Sequence, residues 1–457
     1  MLLEQTSWLD LVIELLLAFN LLVLSLFMKT ACIAFPIGCP RNRLNAAHLV
    51  NYFRKNGWHI TTNFKKADFV LISSCGYTQY KEDMSIKFLE IANRRKKKGA
   101  KLFTFGCLGG INKERLLENF NITILENSSL AKIDSLIDSN IKMSEIDVSY
   151  DLSKYEDLIG KCYSILDRIA LQDQKYNHIK GELKSQFKRL ASRCLDGSKV
   201  KSSPSKPFKN GLHENKGATL SQEIMDIRIS YGCNGLCTYC AIKFSAGPLT
   251  SIHPGKILKQ VGKGLMRGYR TFTLVADDAG AYGTDRRTDI TQLLKSILNL
   301  HDDIRIRFND FSPKWLIRYF RDIQDLYSNY PENFQSICLP IQSGSEKILK
   351  LMKREYTAKD AREHIAALKE NVPELSINSH VLVGFPSETD EDFLSTLNFL
   401  EDLQFDKVFV YPYSERPGIP SSEIKPKVHR KVIKERIDRI RCLKIGTNFK
   451  FSELSPN

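Results

Sequence analysis

Ile227-Arg228-Ile229-Ser230-Tyr231-Gly232-Cys233-Asn234-Gly235-Leu236-Cys237-Thr238-Tyr239-Cys240 is the stretch from which both the fold and the chemistry can be read. Ile227–Ser230 reads as a buried strand, and a cysteine triplet spaced CxxxCxxC follows directly. Three thiolates on one tight loop can hold three irons of a 4Fe–4S cluster and leave the fourth without a protein ligand. An open iron of that kind suits chelation by the amino and carboxylate groups of S-adenosylmethionine (SAM). One electron from the cluster then cleaves the sulfonium bond and yields a 5′-deoxyadenosyl radical. The competing reading is zinc, which usually takes four N or S ligands, commonly in paired Cys-x-x-Cys units. No further Cys or His occurs until His253. Cys233, Cys237 and Cys240 are therefore the catalytic and metal-ligand candidates.

Downstream the strand pattern repeats at Thr271–Val275, Ile304–Phe308, Ser336–Leu339, Ile377–Val383 and Lys407–Tyr411, with helical segments between. Six βα units are too few for a closed eight-stranded barrel. They predict an open, partial (β/α)6 barrel of the TIM type, with its site at the C-terminal ends of the strands. Several polar, glycine-containing stretches fall at those ends: Val275-Ala276-Asp277-Asp278-Ala279-Gly280-Ala281-Tyr282-Gly283, Pro340-Ile341-Gln342-Ser343-Gly344-Ser345, Val383-Gly384-Phe385-Pro386-Ser387-Glu388-Thr389 and Tyr413-Ser414-Glu415-Arg416-Pro417-Gly418. Each alone reads as an ordinary βα turn, but their joint order at successive strand ends does not. Tyr239, Asp277, Gln342, Ser343, Gly384 and Glu388 are the expected cofactor contacts.

Upstream, Thr30–Pro36, Phe69–Ser73 and Lys101–Phe105 read as strands, and Leu44–Asn56 and Met84–Arg95 as helices. This βαβ rhythm implies a parallel sheet covered by helices. Cys39, Cys75 and Cys107 each fall a few residues past one of the strands, and parallel strands share one C-terminal edge. Gly38, Gly76 and Gly106 stand beside them and allow close backbone approach. Three converging thiolates again suit a cluster with one open iron; the plainer alternative is three unrelated loop cysteines. Cys32 and Cys338 read as core, and Cys162, Cys194 and Cys442 lack the phasing.

The chain has 457 residues, 42% of them hydrophobic, with a formal net charge of +15 and eleven cysteines. That length implies two or three domains. The excess of positive charge fits an anionic partner, RNA first among them, or plain solubility. Without a convincing secretory signal, clustered cysteines imply metal in a reducing compartment rather than disulfides. The expected organisation is an apolar extension over 1–28, a sheet domain over 29–149, a polar helical insertion and linker over 150–220, and the barrel over 221–457. The apolar run Leu15–Met28 is short for a spanning helix. It reads either as a membrane anchor or, preferably, as sequence ahead of a true start at Met28, so a cytoplasmic protein with no stable membrane partner is expected. Arg94–Lys98 and Lys425–Lys444 read as solvated basic faces or as RNA contacts.

The two cysteine trios in this order, with the Gln342-Ser343-Gly344-Ser345 and Gly384-to-Thr389 segments, resemble the radical SAM methylthiotransferases of the MiaB/RimO type from about Lys29 to Leu443. The resemblance implies two 4Fe–4S clusters, an auxiliary one on Cys39, Cys75 and Cys107 and a SAM-binding one on Cys233, Cys237 and Cys240. It implies that one SAM supplies a methyl group to a sulfur on the auxiliary cluster. A second SAM yields the radical that abstracts hydrogen from an unactivated C–H, and the methylthio group is inserted there. It further implies a flavodoxin- or ferredoxin-type electron donor. The chain departs from the pattern in two ways. It stops at Asn457 without the small β-rich TRAM domain that normally binds substrate, and its 150–220 segment is longer than the usual link. The substrate signals are mixed. Gly38-Cys39-Pro40-Arg41-Asn42, Cys75-Gly76-Tyr77 and Cys240-Ala241-Ile242 resemble the branch acting on an aspartate of a small-subunit ribosomal protein. Gln342–Ser345 and Lys353-Arg354-Glu355-Tyr356 resemble the branches acting on tRNA adenosines. An atypical peptide substrate and a non-catalytic iron–sulfur RNA-binding scaffold are the other readings.

Overall fold

The computed structural model describes residues 29–36, 39–137, 139–146 and 224–443. The expectations placed on the 1–28 extension, on Gly38, on the 150–220 insertion and on Cys162 and Cys194 lie outside these residues.

Five parallel strands form the N-terminal sheet: β1 (Thr30–Ala34), β2 (His59–Ile60), β3 (Phe69–Ser74), β4 (Lys101–Gly106) and β5 (Thr123–Glu126), in the order β2-β1-β3-β4-β5. The central strand β3 is buried at every position, as expected of a parallel strand covered on both faces. Alternate residues feed two separate cores. Ile33, Leu71 and Phe103 pack with Leu49 and Phe53 of the helix Pro40–Lys55. Cys32, Val70 and Ile72 pack with Ile86 and Leu89 of the helix Gln79–Arg95, so Cys32 is core. Pro40 starts its helix where a missing N–H costs nothing, and Thr78 caps the other by accepting from the Lys81 N–H. The sequence reading missed the two outer strands, β2 and β5. Both are short, and neither shows a periodicity of its own.

The second sheet contains β6 (Ile224–Arg228), β9 (Thr271–Val275), β10 (Arg305–Phe308), β11 (Phe334–Cys338), β12 (Ser376–Val383) and β13 (Lys407–Pro412). A two-residue antiparallel pair, β7 (Ser230–Tyr231) and β8 (Thr250–Ser251), lies beside it. The six strands run parallel in the order β6-β9-β10-β11-β12-β13. This is the partial (β/α)6 barrel, open between β6 and β13. Its first strand begins earlier than Ile227 and ends at Arg228, while Ser230 leaves to pair with Ser251. The reading placed it late because Asp226 interrupts the apolar run; Asp226 and Arg228 are nevertheless both buried.

The N-terminal domain closes the barrel's gap from both sides. Along β6, Arg43 of the helix Pro40–Lys55 pairs with Asp226. Arg228 donates from Nη2 to the Arg41 carbonyl (2.7 Å) and to Asn45 Oδ1 (2.9 Å). These contacts compensate two buried charges that would otherwise be costly. Beyond β13, Tyr77 packs edge-on to Tyr411 at 5.5 Å. There the Gln79 N–H donates to Ser414 Oγ (3.0 Å), and Arg416 donates to Gln79 Oε1 (2.9 Å). Covering the edge of β6 also removes an unpaired strand edge. Among the described residues no helix is long and apolar enough to cross a membrane.

Candidate active site

The cysteine triplet of the barrel is shaped by a turn that only glycine tolerates. Gly232 has φ +73°, and a Cβ there would lie 2.1 Å from the Pro248 carbonyl oxygen. Its N–H donates to Asp277 Oδ2 (3.0 Å), and the Cys233 N–H donates to the Gly247 carbonyl (3.2 Å). The Gly235 N–H then points at Cys233 Sγ (3.2 Å), and a Cβ on Gly235 would meet both Cys233 Sγ and Cys237 Sγ. Thr238 ties the loop to the end of the helix Glu346–Leu351, donating its N–H to the Met352 carbonyl (3.1 Å) and its hydroxyl to the Leu351 carbonyl (2.9 Å). Burial pushes the Cys233 thiol up to about 12, with Asp278, Cys240 and Asp277 adding to it. Burial, with Cys237 beside it, raises Cys240 as well.

The other trio sits where three strand ends meet. Cys39 and Cys107 each occupy the N-cap position of a helix, and Cys75 follows β3 directly. The Gly76 N–H donates to Cys107 Sγ (3.2 Å). Ser85 receives the Cys75 N–H (2.8 Å). The Cys107 thiol is pushed well up, first by its hydrogen bond with Cys75, then by burial and by the Cys75 and Cys39 charges. Gly106, at φ +104°, leaves no room for a side chain, since a Cβ would lie 2.3 Å from the Ser74 carbonyl oxygen. Crowded, buried thiols give up their protons only beside strong positive charge. An all-thiol donor set without His or carboxylate is that of an iron–sulfur group. Both trios therefore fit such a cluster. Among the described residues no three His, Cys, Asp or Glu side chains close on a point as a single metal ion needs.

The two trios share neighbours at the domain junction. Arg41, two residues after Cys39, hydrogen-bonds that thiol and forms an ion pair with Asp277 at the end of β9. Burial would lower its pKa, yet Asp277, Cys39 and Asp310 together hold it well above the usual value, so it stays a cation. The same guanidinium acts on Cys240. Tyr77, from the Cys75 loop, is half-buried and feels Tyr411, Cys240 and Asp310. Asp310 and Asp278 are both raised by burial. Asp278 accepts from the Trp315 indole (2.7 Å) and the Ser312 N–H (3.1 Å).

The expected cofactor contacts divide into two groups. Tyr239 and Asp277 lie beside the barrel trio. Tyr239 Oη accepts from Arg354 (3.3 Å), and Asp277 bridges Gly232 and Arg41. Gln342 holds the strained φ of +66° at its strand end, its backbone engaged with His380 and Leu382 of β12. Ser343, Gly384 and Glu388 are instead occupied by protein. Ser343 Oγ lies 3.2 Å from Thr396 Oγ1. A Cβ on Gly384 would collide with Ile433 of the C-terminal helix. The buried Glu388 carboxylate accepts from the Gly384 N–H (2.8 Å) and from Arg436 (2.7 Å). Gly384 and Glu388 brace the barrel against its last helix, while Ser343 packs on the helix Asp390–Leu403. Arg41, Arg354, Asp310, Tyr77 and His380 were not singled out by the sequence. Arg41, Tyr77 and Arg354 lie within segments that carry the family resemblance, but nothing local marks their partners.

Comparison with known proteins agrees with this architecture. The Radical SAM superfamily matches residues 227–400, and the Uncharacterized protein family UPF0004 matches residues 32–125. The chain is 26% identical over 424 residues to the tRNA-2-methylthio-N(6)-dimethylallyladenosine synthase of Nitratiruptor sp., covering 91% of this chain and 84% of that protein. It is 27% identical over 410 residues to the ribosomal protein uS12 methylthiotransferase RimO of Thermodesulfovibrio yellowstonii, covering 88% and 80%. The radical S-adenosylmethionine methyltransferase TsrM of Kitasatospora setae, solved with cobalamin and a 4Fe–4S cluster bound, superposes with a TM-score of 0.54 over 86% of this chain and 77% of that one. Its 10% identity makes that likeness one of fold alone. The chain thus carries a radical SAM domain behind a UPF0004 domain, is similar along most of its length to methylthiotransferases of tRNA and of ribosomal protein uS12, and has the radical SAM domain that goes with a 4Fe–4S cluster and SAM.

Proposed function

We propose that the protein inserts a methylthio group at an unactivated C–H of an adenosine derivative in tRNA. In this reading Cys233, Cys237 and Cys240 hold the SAM-binding cluster, and Cys39, Cys75 and Cys107 hold the auxiliary one. When bound, the clusters and SAM supply the one-electron chemistry that opens so inert a bond, which side-chain acids and bases cannot do. The protein's own residues orient and enclose. Arg41 places one cation between the trios, Asp277 fixes the turn before Cys233, and Tyr77 and Tyr411 screen the junction from water.

The observation that carries the choice of substrate is a run of rings beside the trios. Tyr77 meets Tyr411 edge-on, and His380 contacts both Tyr411 (5.3 Å) and Phe409 (5.0 Å). Aromatic faces are what an unstacked base needs when an enzyme draws it into a pocket. The net charge of +15 supports a polyanionic substrate and an acidic flavodoxin- or ferredoxin-type donor. A second reading, an aspartate of a small-subunit ribosomal protein, is favoured by the relative of that name, which is as similar as the tRNA enzyme. Mass spectrometry of tRNA nucleosides and ribosomal proteins from a strain lacking the gene decides between them. Loss of a methylthioadenosine is expected. Loss of methylthio-aspartate instead selects the second reading, and loss of neither turns the search to an atypical peptide.

A further inference from the structure

We infer that Arg354 is a positioning residue for the barrel cluster: its guanidinium donates to the Cys237 sulfur and raises the cluster's reduction potential. The inference rests on the reading that Cys233, Cys237 and Cys240 hold an iron–sulfur group.

Arg354 is delivered by the turn that also grips the cysteine loop. The helix Glu346–Leu351 ends there, Lys353 adopts φ +54°, and the Arg354 N–H returns to the Leu349 carbonyl (2.9 Å). The carbonyls of Leu351 and Met352 in this turn are those that Thr238 engages. A guanidinium has five N–H bonds, and here five acceptors surround it. Nε donates to Tyr356 Oη (3.2 Å). Nη2 donates to Ser312 Oγ (3.2 Å) and the Pro340 carbonyl (3.0 Å). Nη1 donates to Tyr239 Oη (3.3 Å) and Cys237 Sγ (3.5 Å).

Charge makes the case. None of those five acceptors is a carboxylate. The neighbouring Glu355 pairs with Lys314 instead, and Asp278 acts on Arg354 only through space, its hydrogen bonds going to Trp315 and Ser312. A half-buried cation without a hydrogen-bonded counter-ion carries a desolvation cost. Three thiolates on a 4Fe–4S core make a net anion, and one-electron reduction makes it more negative. A fixed cation and an N–H on the sulfur therefore favour the reduced form. Removing them must move the couple to more negative potential.

The test uses the full-length chain with Cys39, Cys75 and Cys107 replaced by Ala, so that only the barrel cluster is loaded. After anaerobic reconstitution, iron is counted and the cluster is titrated with dithionite under EPR. Arg354→Gln is expected to keep its iron and shift to more negative potential. At a fixed potential the ratio of reduced to oxidised cluster should fall about tenfold, equivalent to about 59 mV for a one-electron couple. Arg354→Lys, which retains the charge without the fork, should recover part of the shift. A full iron complement with unchanged potential in Arg354→Gln overturns the inference. Should that variant bind no iron, Arg354→Lys decides: a potential below the parent's supports the role, and an equal one overturns it. A parent chain without iron overturns the cluster assignment itself, and this inference with it.

Discussion

His380 shows how a single residue is set by its surroundings. Its ring sits between Phe409 and Tyr411, and burial lowers its pKa from 6.5 to about 4. The unfolded chain takes up that proton near 6.5, while the folded protein resists it down to about 4. The unfolded state thus binds more protons in that window, and stability is lost as the pH falls through it. The effect is at most about 3 kcal/mol. We expect His380→Phe to lose less stability than the parent between pH 7.5 and pH 5, read as urea midpoints; parallel losses would contradict the buried neutral imidazole. Gly232 is equally constrained, and Gly232→Ala should cost about 2 kcal/mol or more and lower iron uptake at the barrel trio. The cysteines were legible because their signal is local, either a short spacing or a place within a few residues of each strand end. Arg41 and Arg354 were not, because their partners Asp277 and Cys237 lie 236 and 117 residues away.

Among elements, the loop after β13 has a role that its sequence does not announce. Arg416 is buried and pairs with the equally buried Glu82 of the helix Gln79–Arg95. Glu82 also accepts from Arg115 (2.6 Å) and Asn112 (2.9 Å). Nearby, Ile419 packs with Ile111 and Ala241 against Cys107. Glu82 keeps Arg115 when Arg416 is lost, but removing the carboxylate leaves the buried Arg416 cation without its counter-ion, so Glu82→Ala should cost about 3 kcal/mol in chemical denaturation. The exposed pair Arg362–Asp402 offers the contrast. Arg362→Ala should stay within about 1 kcal/mol of the parent, and equal losses in the two variants would contradict the role given to the buried Arg416–Glu82 pair. Strand β9 could be read from a continuous apolar and β-branched run. Strand β6 was misplaced because Asp226 resembles a surface residue until the helix Pro40–Lys55 supplies its partner.

At the scale of the whole molecule, two parallel sheets were readable from the rhythm of strands and helices, but their docking was not. It depends on which edges stay unpaired, and here the N-terminal domain packs along β6 and beyond β13 and brings the trios to one junction. Counting iron in anaerobically reconstituted protein, with EPR of the reduced samples, tests that arrangement directly. The intact chain should hold about eight irons as two four-iron clusters. The Cys39/Cys75/Cys107→Ala and Cys233/Cys237/Cys240→Ala chains should each hold about half, with different EPR signals. Full iron in either triple variant, or one cluster in the intact chain, would contradict the two-cluster site.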